Sequence, residues 1–179
     1  MTEGRSLVLL RHGKSDYPGA VRDHDRPLAP RGRREAALAG ALLAGLRPPI
    51  EAVLCSTALR TRQTLAATGI GAPVTFSDDI YDASPGEILQ AIAGTDDRIR
   101  TLLVVGHAPG MPGTALALAD SRGHGTDGFG GDSDSDSEHL AQLRSHFPTS
   151  AFAVLRVPAG WAELGDTGAT LVDFVIPRG

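Results

Sequence analysis

Short unbroken apolar runs, far apart in the sequence, constrain this chain more than any other feature. "SLVLL" at residues 6–10, "EAVLCS", "TLLVVG" and "AFAVLRV" are each only a few residues long, and none alternates cleanly with polar residues. Such runs suit strands covered on both faces rather than strands with one wet face. Between them lie segments with helical spacing. "RGRREAALAGALLAGL" (31–46) is rich in alanine and leucine and is closed by Pro48-Pro49. "TALRTRQTLAAT" opens after Ser56 and Thr57, either of which suits an N-cap. "SPGEILQAIAG" carries a cap signature, with Ser84 at the cap, Pro85 in the first turn and Glu87 three residues after the cap. "GTALALAD" reads as another helix, "PVTFSDDIYD" as a short extended piece, and the proline-dotted stretch 16–30 as a loop. Strands alternating with helices predict an α/β layered domain with a mostly parallel sheet. The last two runs, "AFAVLRV" and "ATLVDFVI", are expected to form a terminal strand pair.

A chain of 179 residues is expected to be one domain with its own core, needing neither metal nor disulfide. Its net charge of −4 supplies no global basic field, so nucleic acid is not the expected partner and any basic site must be local. Cys55 is the single cysteine, which excludes an intrachain disulfide. The polar first residues do not read as a signal peptide, and no apolar run approaches the ~18 residues that span a bilayer, so a cytoplasmic protein without membrane partners is expected. Residues 121–139, dominated by glycine, serine and aspartate, read as a flexible surface insertion.

Three places carry chemistry. The first strand runs directly into Arg11, His12 and Gly13; "CSTALRTRQT" sets Arg60 in the first turn of a helix; "VVGHAPG" ends a strand on Gly106 and His107. In open parallel sheets, ligands bind outside the carboxyl ends of strands, so these elements are expected to converge. Taken singly, each has an ordinary explanation: a packed histidine at a strand end, or a solvated arginine on a helix. Together, two strands ending in histidine beside glycine and an arginine where the helix dipole disfavours it point to a bound dianion. An arginine fork matches phosphate oxygens in pairs, and a histidine with a free ring nitrogen can act as nucleophile on phosphorus.

The segments "LVLLRHGKS", "RPLAPRG", "CSTALRTRQT" and "VVGHAPG", in this order, resemble the histidine phosphatase superfamily, which contains the cofactor-dependent phosphoglycerate mutases. More narrowly, they are similar to its SixA-type branch of small phosphohistidine phosphatases. The resemblance implies a three-layer α/β/α sandwich with a mostly parallel central sheet, phosphoglycerate mutase-like, and no cofactor. It implies that His12 is the nucleophile, that Arg11 and Arg60 hold phosphate oxygens, and that His107 serves the same pocket. Ser15 falls where the family often has a small hydroxyl near the phosphate. Arg62 matches no core position and reads as a surface residue. Arg22 and Arg26 fit either the pocket entrance or structural salt bridges.

The chain departs from the ester phosphatases and mutases of that superfamily where they have a carboxylic general acid. Here the region reads "DDIYDASPGEIL": Asp82 and Glu87 are the candidates, but Glu87 fits the helix cap equally well and Asp82 suits a turn. The other histidines, His24, His124, His139 and His146, show no metal-ligand spacing, so no metal is expected. The implied function is hydrolysis of a phosphorylated protein (phosphohistidine) or small phosphorylated molecule through a phosphohistidine enzyme intermediate. Two alternatives stay open: a phosphoester phosphatase of the same superfamily, and a non-catalytic phosphate-binding module.

Overall fold

The structure, a computed structural model, describes residues 4–121 and 134–178. The apolar runs become strands β1 (Arg5–Arg11), β2 (Ala52–Ser56), β3 (Val74–Ser77), β4 (Thr101–Gly106), β5 (Phe152–Val157) and β6 (Thr170–Val175). They form one sheet in the order β3-β2-β4-β1-β5-β6. The first four are mutually parallel, whereas β5 runs antiparallel to both β1 and β6. The terminal pair closes the sheet as an antiparallel edge.

Among the described residues six helices cover it: α1 (Pro30–Leu43), α2 (Leu59–Thr68), α3 (Pro85–Ala93), α4 (Gly110–Asp120), α5 (Asp134–Ser145) and the single turn α6 (Leu164–Thr167). Alternate residues of the central strands face opposite layers. Val8, Leu10, Val53, Cys55, Leu103 and Val105 pack beneath α1 and α2 with Ala39, Leu43 and Leu65. Leu7, Leu9, Leu102 and Val104 face the other side, against Ile88, Ile92, Met111, Leu118 and Trp161. Two cores on two faces explain why the strands read as continuous apolar runs. Each fully buried leucine adds roughly 1.5–3 kcal/mol of transfer free energy. The fold is the expected three-layer α/β/α sandwich with a mostly parallel sheet.

The register of the central pair positions the site. Arg11 of β1 lies opposite Gly106 of β4, so the residues that follow, His12 and His107, leave the sheet side by side. The His12 N–H donates to the Gly106 carbonyl at 2.9 Å, fixing this departure. Helix α1 is laid against the same loop because Gly32 has no side chain; a Cβ there would collide with the Lys14 carbonyl.

Several boundaries differ from the sequence reading. Helix α1 starts at Pro30 and ends at Leu43, three residues short of the expected Leu46. Helix α2 begins at Leu59, and its N-cap Ala58 makes no side-chain cap bond. Ser56 and Thr57, the expected caps, are turned to other partners described below. Helix α4 starts at Gly110, three residues before the expected Gly113; Gly110 packs so closely on the Ala83 carbonyl that a Cβ would clash. The loop 16–30 contains a one-turn 3-10 helix at Asp23–Asp25 and a bridge between Ser15 and Leu28. Residues 134–139 of the expected insertion are instead the opening of α5. That helix is anchored by Leu143 in the core and by an ion pair from Arg144 to Asp120, contacts beyond the reach of the local composition. Residues 122–133, with His124, lie outside the described residues.

Candidate active site

The loop after β1 holds His12 in one orientation. Its Nδ1 lies 2.8 Å from the Gly13 carbonyl oxygen, and a carbonyl only accepts, so Nδ1 carries the hydrogen and Nε2 keeps its lone pair. Gly13 N–H donates to Thr64 Oγ1 at 2.9 Å, and Thr64 donates onward to the Arg60 carbonyl, tying the loop to α2. A Cβ on Gly13 would stand 2.8 Å from the Gly32 carbonyl, so this junction accepts only glycine without rearrangement.

His12 and His107 are 8% and 3% exposed, with ring centroids 5.1 Å apart. His107 Nε2 is 2.8 Å from Ser56 Oγ, while its Nδ1 is buried with no hydrogen-bond partner. Ser56 Oγ accepts the Ala58 N–H, and we assign its own hydrogen to Nε2, which leaves Nδ1–H of His107 as a spare donor. Thus the serine expected to cap α2 serves the site instead. Burial pushes the His12 pKa down to about 4, helped by the positive charges of Arg60, Arg11 and Arg26 and opposed by the bond to the Gly13 carbonyl. Burial, then the charges of His12 and Arg60, pushes His107 down to about 3. Both rings are therefore neutral at pH 7.

The arginines differ in their partners. Arg60, buried in the first turn of α2, donates from Nη1 to the Asp23 carbonyl at 2.7 Å and from Nη2 to the Asp23 carboxylate at 3.0 Å. The Asp23 carboxylate also accepts from Arg26 Nη1 (2.9 Å) and from the Tyr81 hydroxyl (2.7 Å), and these bonds hold it ionised, far below the usual carboxylate range. Arg26 continues to Ser15, donating to its Oγ at 2.6 Å, and lies over the Tyr17 ring at 3.3 Å. Arg11 donates from Nη1 to the Phe147 carbonyl at 2.8 Å. Among the described residues no carboxylate pairs with Arg11, and its Nε is buried without a partner. Burial lowers its pKa accordingly. A partly desolvated cation without a counter-charge is costly to keep, and an incoming anion would repay that cost.

The structure thus brings Arg11, His12, Arg60 and His107 to one crevice at the carboxyl ends of β1 and β4, with Ser15 held beside it by Arg26. Asp82 and Glu87, the candidate acids, have local structural partners or settings of their own. Glu87 accepts from both the N–H and the hydroxyl of Ser84 in a complete capping box, which lowers its pKa and favours its ionised form. Asp82 is exposed on a left-handed turn at φ 50°. Arg62 is exposed and stacks near Phe76, while Arg22 pairs with Asp25 at the surface. Among the described residues no three His, Cys, Asp or Glu side chains cluster so as to hold a metal ion.

Two participants escaped the sequence reading. Asp23 and Tyr81 meet across 58 residues of chain, and the Tyr81 ring stands edge-on to both His24 and His107. The spacing of Asp23 and Arg26, one helical turn apart, was the only local signal for the first. Tyr81 had none.

Comparison with known proteins agrees with this geometry. Residues 7–98 match the histidine phosphatase superfamily (branch 1). An uncharacterized protein of Mycobacterium tuberculosis is 46% identical over 169 residues, covering 94% of this chain and 100% of its own. A structure of a candidate phosphohistidine phosphatase SixA from Nakamurella multipartitia superposes with a TM-score of 0.87 at 42% identity, covering 99% of each chain. Its counterpart from Agrobacterium tumefaciens gives a TM-score of 0.73 at 31% identity over 97% of this chain and 99% of that one. The chain belongs to the histidine phosphatase superfamily, branch 1, and within it to the SixA-type group.

Proposed function

We propose that this chain is a phosphatase that acts through a phosphohistidine enzyme intermediate at His12, with protein phosphohistidine as its substrate. The observation that carries the reading is the state of His12: neutral, with Nδ1–H bound to the Gly13 carbonyl and Nε2 unprotonated, in a crevice where Arg11 lacks a counter-charge. Family membership and the SixA-type neighbours support the phosphatase chemistry.

In the first step the Nε2 lone pair of His12 forms a bond to phosphorus as the bond from phosphorus to the leaving group breaks. Arg11, Arg60 and the spare donor of His107 neutralise charge on the equatorial oxygens. In the second step water attacks phosphorus, the P–Nε2 bond breaks, and its electron pair returns to His12. Inorganic phosphate is released and the water proton passes to phosphate or solvent.

The substrate class follows from the leaving group. An alkoxide is about as basic as hydroxide, whose conjugate acid has a pKa of ~15.7. Its departure gains ~10²–10⁴-fold from a positioned acid. Glu87 is engaged in the α3 cap and Asp82 lies exposed on a turn, which supports a reading that uses neither as that acid. A phosphorylated imidazole protonated on its distal nitrogen leaves as neutral imidazole, whose conjugate acid has a pKa of ~6.5. Solvent supplies that proton beforehand. The test is a panel of a phosphohistidine peptide, an aryl phosphate and an alkyl phosphate. The first two should be hydrolysed and the third should not. Brisk alkyl phosphate hydrolysis that disappears in Asp82→Asn or Glu87→Gln would replace this reading with an ester phosphatase.

A further inference from the structure

The outward face of α1 is built unlike a surface that meets only water. Residues 31, 34, 38 and 42 fall within one narrow arc of a 3.6-residue helix, opposite the buried Ala36, Ala39 and Leu43. Arg31 and Arg34 occupy the end of this arc nearest the His12 loop, and Leu38 and Leu42 follow, 38% and 54% exposed. Arg31, Arg34 and Leu38 also line a hollow of about 570 Å³ with Glu35, Ala37 and Arg178. Glu35 lies beneath them, its side chain only 7% exposed, accepting from Arg31 at 2.8 Å and from Arg178 at 2.5 Å. It therefore holds two guanidinium groups in place before any partner arrives. Lys14, exposed two residues after His12, is tied to the start of α1 by the Ala29 N–H bond to its carbonyl and by the close approach of Gly32 to its backbone.

Charge is divided along the chain in the same sense. Residues 1–62 hold 11 of the 17 Lys and Arg but only 6 of the 21 Asp and Glu, +5 against −9 for the remainder. A local basic surface on an acidic protein selects for acidic partners. From Arg31 to Leu42 the helix rises ~16 Å, far beyond the reach of a small phosphorylated molecule seated at His12 but within a standard protein interface of ~800 Å² per partner.

Resting on the phosphohistidine reading above, we propose that this face of α1, with Lys14, docks the acidic protein segment that carries the phosphorylated side chain. Its arginines meet carboxylates at the rim, and Leu38 and Leu42 meet an apolar stripe of the same segment. The selectivity lies outside the crevice, so it adds to binding of the substrate without altering the chemistry at His12.

The test uses a fluorescein-labelled, lactam-stapled 18-residue helix with glutamates flanking a leucine stripe and an unphosphorylated histidine at its centre. Its twin has lysines for the glutamates. The wild-type protein should bind the acidic helix at least tenfold more tightly than the basic twin, and the preference should shrink between 50 and 300 mM salt. The double variant Arg34→Glu/Leu38→Asp should weaken binding at least tenfold, with aryl phosphate turnover within about twofold of wild type. Leu42→Asp alone should weaken it less. Equal binding of the twins, or unchanged binding by the double variant, would overturn the proposal. So would equally tight binding of a 20-nucleotide single strand through the same residues, or a homodimer in sedimentation that Leu38→Asp dissolves. Absence of aryl phosphate turnover by the wild type would instead refute the phosphatase reading, which the binding arm does not use.

Discussion

Two charge clusters in this fold follow opposite rules. Around Glu35 on α1, a buried carboxylate faces two guanidinium groups, Arg31 and Arg178, both at its Oε1, so each charge there has an opposite charge beside it. In the crevice at the ends of β1 and β4, Arg11 is partly desolvated with no carboxylate paired to it among the described residues, and two neutral histidines lie 5.1 Å apart by ring centroid. The closed cluster contributes to the fold. The open one costs stability, a cost that a ligand bringing negative charge would offset.

Substitutions can break this contrast. Arg11→Met should lower kcat/KM for an aryl phosphate by at least about 100-fold, because each charge-assisted hydrogen bond it makes to phosphate contributes roughly 1.5–3 kcal/mol. The same change removes a desolvated charge and loses one bond to the Phe147 carbonyl, so unfolding free energy should fall by less than about 1 kcal/mol or rise. Glu35→Gln should do the reverse to stability, lowering it by about 1 kcal/mol, since its half-exposed arginine partners are rescued by solvent. Denaturant titration of both variants decides the matter. A destabilised Arg11→Met beside an unaffected Glu35→Gln would contradict the contrast.

The second comparison is in protons. His12 and His107 are held neutral in the fold, down at about 4 and about 3, but take up protons near 6.5 in the unfolded chain. The unfolded state therefore binds more protons as pH falls below 6.5. Stability from this source is complete above that value and is lost progressively as pH drops toward 4. Urea midpoints between pH 7.5 and 4 should decline, and His107→Gln should flatten the decline. The acid limb of kcat/KM, measured with a substrate whose own ionisation is known, should fall near 4 for the free enzyme; an enzyme limb near 6.5 would contradict the assignment.

How much of this could be read from the sequence depended on how local each cause is. The strands were legible because burial on both faces leaves an unbroken apolar run, and the Ser84–Glu87 cap because its partners are three residues apart. Arg11, His12, Arg60 and His107 stood out by interrupting those patterns at strand ends and a helix start. Ser56 and Thr57 looked like caps, but Ser56 bonds His107 and Thr57 bonds His24 and Asp78, partners 33 or fewer residues to either side for Thr57 and 51 away for Ser56. Asp23 and Tyr81 owe their places to a contact across 58 residues. The opening of α5 was hidden because "DSDSE" is polar throughout, and its anchors Leu143 and Arg144 lie later in the helix.

The smallest expected effects come from the two carboxylates outside the crevice. Asp82→Asn and Glu87→Gln should each keep phosphohistidine hydrolysis within about twofold of wild type, while Glu87→Gln slightly lowers the melting temperature through the lost cap. A loss of more than tenfold in either would mean that the crevice draws a proton from it.

The central claim, that Nε2 of His12 takes the phosphoryl group, is tested most directly by trapping the intermediate. The enzyme is mixed with a ³²P-labelled aryl phosphate, quenched in alkali within milliseconds, digested and mapped. Acid-labile, alkali-stable label on the peptide containing His12, absent from His12→Ala, is the predicted result. Label on any other residue, or undiminished turnover by His12→Ala, would contradict it.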